Sequence, residues 1–550
     1  MEVFRILCYH VKKYTGENEM YKCPNCSAEM KYSIEKQGLY CKHCDTLLNP
    51  YAPEVKEGVA MADYYQVNKF TCNSCGAELL TEDDTMATFC SYCGAPVLLE
   101  SEQIQNKYPG CIIPFQKTKE DCKKAYKKMM QKAFFAPKEM KDETHIEKFR
   151  PIYMPFVNHQ IRKDGESVFK GKQVTKENGG TVTSYYDMKC QVKAGYDGAI
   201  YDGAHDFCDH LSNGILPYDM KGKRLFTPAY LSGFYADVAD VKEGEYKEEF
   251  DELVKADVIG QLNKHSVFGK SNLEECMTNL NVNNFLKPEH VKEDVALCPV
   301  WFLSWRKKDR VAYAVVNGQT GKAMADLPVD RKRFLIGSVL LAIPLFLLFQ
   351  MLFVMTPHVL LRVGMILSVI FAIIVNNMTT EIMLKESAVP TKTVKYLDKE
   401  KKRRKDMLFG WIIGAVCIVI ELPVLLGLIF LDFPGKGIVL PIVALVILLI
   451  YLWVDLYANK VPEKIYEFDI DLYNEHWRDK KKKVGKPLLS LILSMIVLIW
   501  NPVSDFIYYG AAFVSLGLMC AVAWDVITYH NVLTTKALPQ FNKRGGDHYE

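Results

Sequence analysis

The sequence lacks the short motifs that mark several common enzyme classes. It has no HExxH pattern of a zinc protease and no GxSxG pattern of a serine hydrolase. Residues 317–322 end like a phosphate-binding loop, but the GxxxxGKS or GxxxxGKT spacing is missing and Ala323 follows the lysine. These absences argue against the corresponding catalytic mechanisms and favour a turn after a strand at residues 317–322.

Two further signals are also missing. Four aspartates lie close together between residues 197 and 209, but their offsets do not fit an EF-hand loop: Asp197, Asp202, Asp206 and Asp209. The N-terminal apolar run is short and is interrupted by Arg5, which argues against a secretory leader. We therefore interpret the aspartates as surface turns and expect the N-terminal region in the cytosol.

Eight cysteines repeat one pattern twice, namely CxxC, fourteen residues, CxxC, with the second copy 49 residues after the first. They are Cys23, Cys26, Cys41, Cys44, Cys72, Cys75, Cys90 and Cys93. Four thiolates at this spacing predict a closed tetrahedral Zn²⁺ site in each copy, which leaves no open position for catalysis. We predict two structural zinc ions in ribbons at residues 20–50 and 68–100, with redox disulfides as the alternative.

The residue after each CxxC pair bears on the geometry of the ribbon. Gly76 and Gly94 occupy that position in the second ribbon, where positive φ is expected, whereas the first ribbon has Ser27 and Asp45. His43 lies between two cysteines and is interpreted as a bystander. The nine other cysteines show no paired spacing, which is typical of a reducing compartment.

The C-terminal part predicts a membrane domain at residues 333–530, preceded by a short N-terminal segment 1–19 and followed by a cytoplasmic tail 531–550. Six apolar stretches are predicted as membrane spans: 334–355, 363–378, 408–433, 437–457, 484–500 and 506–527. Most approach or exceed the length of a span, whereas the second and fifth are short, with tilted partners within hairpins as the alternative. The loops between them alternate between basic and non-basic. This alternation predicts six spans with both termini on the cytoplasmic side of the cell membrane.

The basic loops have two interpretations. Their Lys and Arg residues either set the orientation of the spans alone or also contact anionic lipid headgroups. Within the spans, Glu421 is the one carboxylate at mid-depth, and no second acid, histidine or lysine lies at comparable depth. An intramembrane carboxylate is a candidate functional residue. A protonated Glu421 bonded to a neighbouring helix is favoured over an ion relay, which usually needs several such groups.

Residues 108–328 predict a cytosolic α+β domain. Residues 118–135 form the pattern of a basic amphipathic helix with Thr118 as its N-cap, and residues 243–262 indicate a second helix. Alternating residues from 151 to 204 predict antiparallel strands, and residues 299–327 predict a hairpin with its turn at 307–310. The fold class is therefore multidomain, with two Cys₄ zinc ribbons, an α+β domain and a six-helix membrane domain.

Charge argues against nucleic acid as the partner of the ribbons. Over residues 20–100 the chain has six Lys or Arg residues against eleven Asp or Glu residues, a net charge of about −5. Phosphate contact dominates nucleic-acid affinity and requires a basic face. We therefore expect a protein partner and keep nucleic acid as an alternative.

Three segments carry a resemblance to a known family: FFAPKEM at 134–140, TPAYLSGFYAD at 227–237, and VWFLSWRKKDRVAYAVVNGQTGKAMADLPVD at 300–330. Behind the cysteine repeats, these segments resemble the membrane-anchored TFIIB-type zinc-ribbon proteins of Gram-positive bacteria over residues 20–355. The resemblance implies no established enzymatic activity. It also implies an association with SPFH-domain or phage-shock-type proteins in envelope stress.

These observations lead to one interpretation and two alternatives. The chain is expected to be a non-enzymatic membrane adaptor that docks cytosolic protein partners through its ribbons. The first alternative is a transporter or channel that uses Glu421, with the ribbons as a regulatory module. The second is a membrane-tethered regulator that binds nucleic acid.

Overall fold

The structure is a computed structural model of the 550-residue chain, and it describes the following residues: 21–51, 64–81, 90–95, 100–177, 180–204, 207, 209–241, 243–264, 289–352, 356–387 and 470–538. The chain divides into two compact units. The first comprises Met1–Gln131, Glu143–Ala325 and Leu538–Glu550, and the second comprises Lys132–Asp142 and Asp326–Ala537.

A small antiparallel sheet carries the first cysteine group in the first unit. Its strands are β1 (Lys31–Ser33), β2 (Gly38–Tyr40) and β3 (Leu47–Leu48). β2 pairs with both of its neighbours. Strands of two or three residues bury few side chains, so this sheet is too small to fold on its own core.

A larger sheet forms the centre of the first unit. Its strands are β4 (Tyr64–Thr71), β5 (Glu78–Thr81), β6 (Glu100–Lys107), β7 (Cys111–Ile112), β8 (Arg150–Glu177), β9 (Gly180–Asp202), β10 (Tyr235–Asp237), β11 (Glu289–Lys307), β12 (Arg310–Asn317) and β13 (Ala323–Ala325). The strand order is β13-β12-β11-β8-β10-β5-β4-β6, with β9 beside β8 and β7 beside β11. The strands that flank the second cysteine group therefore belong to the same sheet as the α+β region.

The predicted antiparallel strands are β8 and β9, which pair in register from Phe156 opposite Asp202 to Glu177 opposite Gly180. β11 lies on the other side of β8 but pairs with it only as far as Arg162. Beyond Arg162, the described partners of β8 are residues of β9 alone. The last part of this hairpin is thus a two-stranded arm, about 45 Å long at 3.3 Å per residue.

The hairpin predicted at residues 299–327 is also present. β11 and β12 pair from Val300 opposite Asn317 to Lys307 opposite Arg310, and Lys308 in the tight turn adopts φ 55°. Both strands are buried over most of this length, which explains their nearly continuous apolar sequence. The turn at 317–322 closes through the Asn317 side chain, whose Oδ1 accepts bonds from the N–H groups of Gln319 and Thr320.

The helices of the first unit are α1 (Lys119–Gln131), α2 (Glu143–Ile146), α3 (Asp209–Gly214) and α4 (Lys247–Lys264), with 3₁₀ turns at Met220–Gly222 and Pro228–Leu231. α1 and α4 confirm the two predicted helices with shifted ends. At the start of α1, the Thr118 hydroxyl accepts a bond from the Asp121 N–H at 3.3 Å, as expected of an N-cap. Three of the five lysines of α1 pair with Glu143 or Glu147, which offsets part of the positive charge of the helix.

The described part of the second unit contains four helices: α5 (Arg331–Leu352), α6 (Pro357–Ser387), α7 (Ile470–Trp500) and α8 (Asp505–Leu533). The short strand β14 (Lys536–Ala537) follows α8, and a 3₁₀ turn lies at Lys138–Lys141. Three segments are long and apolar enough to cross a membrane: Pro357–Met383, Arg478–Trp500 and Asp505–Leu533. The described part of the chain thus supports three candidate spans rather than six.

The three candidate spans correspond to the second, fifth and sixth predicted stretches. The predicted stretches 408–433 and 437–457 lie outside the described residues. α5 is helical at the first predicted stretch, and its role as a span stays a prediction. The helices at the second and fifth stretches are longer than expected, 31 residues each. Polar residues such as Thr379 and Thr380 continue α6 beyond the apolar run, and the polar residues 470–483 begin α7 before it.

Polar side chains join α6, α7 and α8. Ser368 bonds to Ser490 at 2.9 Å, and Ser494 bonds to Ser515 at 3.1 Å, with all four residues buried. Small residues allow close approach of helices, and their hydroxyl groups bond across the interface. The polar interior of this bundle is therefore accounted for by packing among the described helices.

Candidate metal centres

All eight cysteines of the repeat lie on four backbone turns of the same geometry. In each turn, the first cysteine N–H donates to the carbonyl five residues later at 2.8–2.9 Å: Cys23 to Ala28, Cys41 to Thr46, Cys72 to Ala77 and Cys90 to Ala95. The residue four positions after that cysteine donates back to its carbonyl at 2.7–3.0 Å: Ser27, Asp45, Gly76 and Gly94. The CxxC spacing therefore produces one local structure four times.

The residue that closes each turn has positive φ. Gly76 and Gly94 adopt φ 76° and 68°, as predicted, and Ser27 and Asp45 adopt φ 59° and 57°. A residue with a Cβ pays a steric cost of about 1–2 kcal/mol in this region. The first pair of turns thus has the same geometry as the second, but at a local cost that glycine avoids.

The thiols converge in two groups, the first of Cys23, Cys26, Cys41 and Cys44 and the second of Cys72, Cys75, Cys90 and Cys93. Within each group all sulfur atoms lie within 4.8 Å of one another. A tetrahedron with metal–sulfur bonds of about 2.3 Å has sulfur–sulfur edges of about 3.8 Å. Among the described residues, these two groups are the ones that could each hold a metal ion.

Individual sulfur distances agree with that geometry. In the second group, Cys72 and Cys93 are 3.8 Å apart and Cys75 and Cys90 are 3.7 Å apart. In the first group, the distances are 3.3 Å from Cys23 to Cys44, 3.5 Å from Cys26 to Cys41 and 3.3 Å from Cys26 to Cys44. Both groups can close around one tetrahedral ion, the first with a small expansion.

The second group lies in the hydrophobic core of the first unit. Its four cysteines are at most 1% exposed and belong to the same apolar cluster as Phe70, Phe156 and Phe302. Tyr92, between two of the ligands, is fully buried, with its ring centroid 4.9 Å from that of Phe302. A metal ion here would lie among residues of β4, β5, β8, β11 and β12 rather than in a separate module.

The first group lies partly at the surface. Cys23 and Cys41 are buried, Cys26 is half-buried and Cys44 is exposed. His43 beside it is exposed, as a bystander would be, and Leu47 on the next strand is 50% exposed. Solvent and other molecules can therefore reach one side of this site.

The buried side of the first ribbon is fixed to the rest of the first unit. The Tyr32 N–H donates to the Ser232 carbonyl at 3.1 Å, and the Ser232 hydroxyl donates to the Met30 carbonyl at 2.9 Å. The Tyr32 ring packs against Tyr230 at a centroid distance of 5.1 Å. Residues 227–237 thus form the seat of the first ribbon, a role that sequence inspection did not reveal because the contacts join distant segments.

Burial and neighbouring groups shift the pKa values of the thiols in both directions. A hydrogen bond from the Thr46 side chain lowers the pKa of Cys44, which favours its thiolate form. Burial raises the pKa of Cys111 to about 12, so that thiol stays protonated at neutral pH. Within the second group, neighbouring thiols raise the pKa of Cys75 and lower that of Cys93. The convergence of four sulfur atoms, rather than their electrostatics, therefore marks the grouped cysteines as the candidate ligands.

The remaining candidate residues form no site in the described part of the chain. Glu421 and Asp206 lie outside the described residues. Asp197 is paired with Lys223 at 2.7 Å, and Asp202 accepts the Ala204 N–H at 2.9 Å. The turn at 317–322 uses its N–H groups internally, as described above, and its lysine bonds to the Leu216 carbonyl, so it offers no phosphate cradle.

Lysines of the predicted basic loop at the start of α7 have partners inside the second unit. Buried Lys480 bonds to Thr380 at 2.7 Å, and Lys486 pairs with Asp525 at 2.6 Å. The Lys483 Nζ pairs with Asp479 and lies 4.8 Å from the centre of the Tyr529 ring. These contacts favour the topological and packing interpretation over lipid contact for these three lysines.

The fold and the cysteine sites define a chain with two candidate four-cysteine metal centres, a sheet-rich α+β region and three candidate membrane helices. The chain is similar to a protein of Bacillus subtilis (strain 168) described as uncharacterized protein YdjG. The two are 25% identical over 316 residues, which is 56% of this chain and 90% of that protein. No protein-family model and no solved structure matches the chain.

Proposed function

We propose that each cysteine group holds one structural zinc ion. Four thiolates in tetrahedral contact suit Zn²⁺, and a complete Cys₄ shell leaves no position for a reacting water. The four equivalent turns and sulfur distances of 3.3–3.8 Å support this assignment. With the ions in place, both groups tie short segments together that have little core of their own.

We propose further that the chain is a non-enzymatic adaptor, held in the cytoplasmic membrane by six spans with both termini in the cytosol. The three candidate spans support the membrane location. The alternating basic loops of the sequence support the multi-pass orientation. In this proposal the α+β unit lies in the cytosol and presents the first ribbon to a partner protein.

The single observation that carries the adaptor proposal is the unequal exposure of the two cysteine groups. The second group is enclosed in the core and offers no thiol at the surface, whereas the first exposes Cys44 and the nearby Leu47. A ribbon fixed on one side and open on the other supports docking. Partner binding is therefore assigned to the first ribbon alone.

The resemblance to membrane-anchored zinc-ribbon proteins favours an SPFH-domain or phage-shock-type protein as the partner. Nucleic acid is disfavoured by the net charge of about −5 over residues 20–100. The hydroxyl pairs that join α6, α7 and α8 are explained by packing, so they give no support to the transporter alternative. That alternative depends on Glu421. The adaptor is the function that the described geometry supports best.

The test is a crosslinking pull-down from native membranes with a surface variant that keeps all eight cysteines. We choose His43→Glu/Leu47→Asp on the exposed side of the first ribbon. Asn73→Glu, at an exposed position of the second ribbon, is the matched control. The wild type and the control should recover the same partner, and the double variant should lose most of it.

Equal recovery from all three proteins would refute docking through the first ribbon. Membrane insertion and a zinc content of two ions per chain must first be established for each variant. A parallel Glu421→Gln variant tests the transporter alternative, because an adaptor should still recover its partner protein when that carboxyl is replaced. Salt-dependent retention on DNA would instead support the nucleic-acid alternative.

A further inference from the structure

Residues 132–142 belong to the second unit, although in sequence they lie between strands β7 and β8 of the first unit. Two hydrogen bonds fix this segment to the beginning of α5. The Asp330 N–H donates to the Phe135 carbonyl at 2.7 Å, and the Arg333 Nη1 donates to the Ala136 carbonyl at 3.0 Å. The segment therefore holds a defined position beside the first turns of an apolar helix.

Two consecutive phenylalanines lie at that position. The Phe135 ring packs against Phe334 at a centroid distance of 5.4 Å and covers Gly337, where an added Cβ would lie 2.7 Å from the ring. Phe134, the preceding residue, is 76% exposed. The loop thus seats one aromatic ring on α5 and presents the other outward.

The surface beside these rings is apolar. Leu335, Ile336 and Leu340 of α5 are 55%, 61% and 67% exposed. At the same end, Arg331 donates to Thr528 at 2.8 Å and lies 5.0 Å from the centre of the Trp524 ring on α8. Aromatic and basic residues at the end of a membrane helix are typical of the headgroup level.

Positive charge exceeds negative charge in these segments, since residues 132–142 and 330–333 contain six Lys or Arg residues and three Asp or Glu residues. Burial and then the nearby charge of Arg333 lower the pKa of Lys141, which means that the two cations repel each other. Lys132, Lys138 and Lys332 are exposed in the same segments. An anion bound between these groups would relieve the repulsion.

We propose that residues 132–141 and the first turn of α5 form a binding surface for an anionic phospholipid. Phe134 inserts among the acyl chains near the headgroups, while Lys141 and Arg333 bind the lipid phosphate. The inference rests on the membrane location in the proposed function, and it adds a site within that location. The exposed apolar residues of α5 and the excess of cations favour an anionic lipid over a protein partner.

The experiment places p-benzoyl-L-phenylalanine at position 134 of the full chain. The protein is reconstituted in nanodiscs of equimolar phosphatidylglycerol and phosphatidylcholine, irradiated, and examined by mass spectrometry. The matched control carries the same group at Leu225, which is 57% exposed in the first unit. We expect phospholipid adducts at position 134, at least threefold enriched in phosphatidylglycerol, and none at position 225.

A second variant tests the headgroup contact. Lys141→Gln removes one of the two cations assigned to the phosphate and keeps the Arg333 bond to Ala136. It should lower the phosphatidylglycerol enrichment while keeping lipid adducts at position 134. Adducts to peptide alone would overturn the lipid surface, and adducts without headgroup preference would overturn its anionic character. Failure of the chain to enter nanodiscs would overturn the membrane location itself. Loss of the ribbon's partner would leave the lipid result unchanged, so the two proposals fail separately.

Discussion

The two cysteine groups share one sequence spacing and one backbone turn, yet they occupy different environments. The second lies in the core of the larger sheet, with every cysteine at most 1% exposed, whereas the first has one exposed and one half-buried cysteine. The difference arises from the strands around them. β4, β5 and β6 belong to the larger sheet, but β1, β2 and β3 form a separate small one. Equal local motifs can therefore have unequal roles, one in the core and one at the surface.

The largest expected effect on stability comes from removing one cysteine of the second group. Cys75→Ser should prevent cooperative folding of the first unit, because an incomplete metal site would leave thiolates in an apolar core. Cys44→Ser should leave that unit folded, since its side chain is exposed. Thermal unfolding with zinc content by mass spectrometry compares them. Equal losses of the melting transition would contradict the contrast.

A smaller effect follows from the packing of each ribbon. Tyr92→Ala removes a fully buried ring and should cost about 3–5 kcal/mol of the free energy of unfolding. Tyr32→Ala should open the first ribbon locally and shift the main transition by at most about 1 kcal/mol. Urea unfolding measures the first effect, and hydrogen exchange of residues 21–51 measures the second. Similar global costs for both variants would show that the first ribbon folds as part of the core.

The rate of metal release is a further way to compare the two groups. A chelating indicator should remove zinc in two phases, with the first group at least tenfold faster, because its ligands are accessible. Cys44→Ser should abolish the fast phase. Cys520→Ser, which removes an exposed cysteine outside both groups, is the control and should change neither phase. A single release phase in the wild type would contradict the unequal accessibility.

The smallest effect concerns the closing residues of the turns. Ser27→Gly removes a strained residue at φ 59° and should stabilise the first ribbon by about 1 kcal/mol or less. Gly94→Ala introduces a Cβ at φ 68° and should destabilise the second by about 1–2 kcal/mol. Competition for zinc measures the first change, and urea unfolding measures the second. Opposite signs are expected, and a gain from Gly94→Ala would contradict the conformational argument.

Much of the local structure could be predicted because its signals are local. The CxxC spacing identified the eight grouped cysteines, and alternating residues identified β8, β9 and the hairpin of β11 and β12. The burial of the second group could not be predicted, since it depends on strands such as β11 that lie far along the chain. The seat at residues 227–237 was recognised only as a segment of resemblance, because its contact with Tyr32 joins remote residues.

The membrane part shows a related limit. Hydropathy located α6, α7 and α8, but it ended α6 too early because a helix continues through polar residues once its interior face is packed. Hydropathy also cannot tell which basic residues reach lipid. Lys480 and Lys486 have polar partners inside the second unit. The lipid surface that we propose instead combines α5 with a segment about 190 residues earlier in the chain, which is joined to α5 by contacts such as that of Arg333 with Ala136.

The enclosed second group has a consequence for biosynthesis. Cys93 leaves the ribosome long before β11 and β12, the strands that complete the core around its group. A zinc ion would therefore be captured while the nascent ribbon is still open, and the later strands would then enclose it. Zinc supply during translation, rather than zinc concentration afterwards, would determine how many chains reach the folded state.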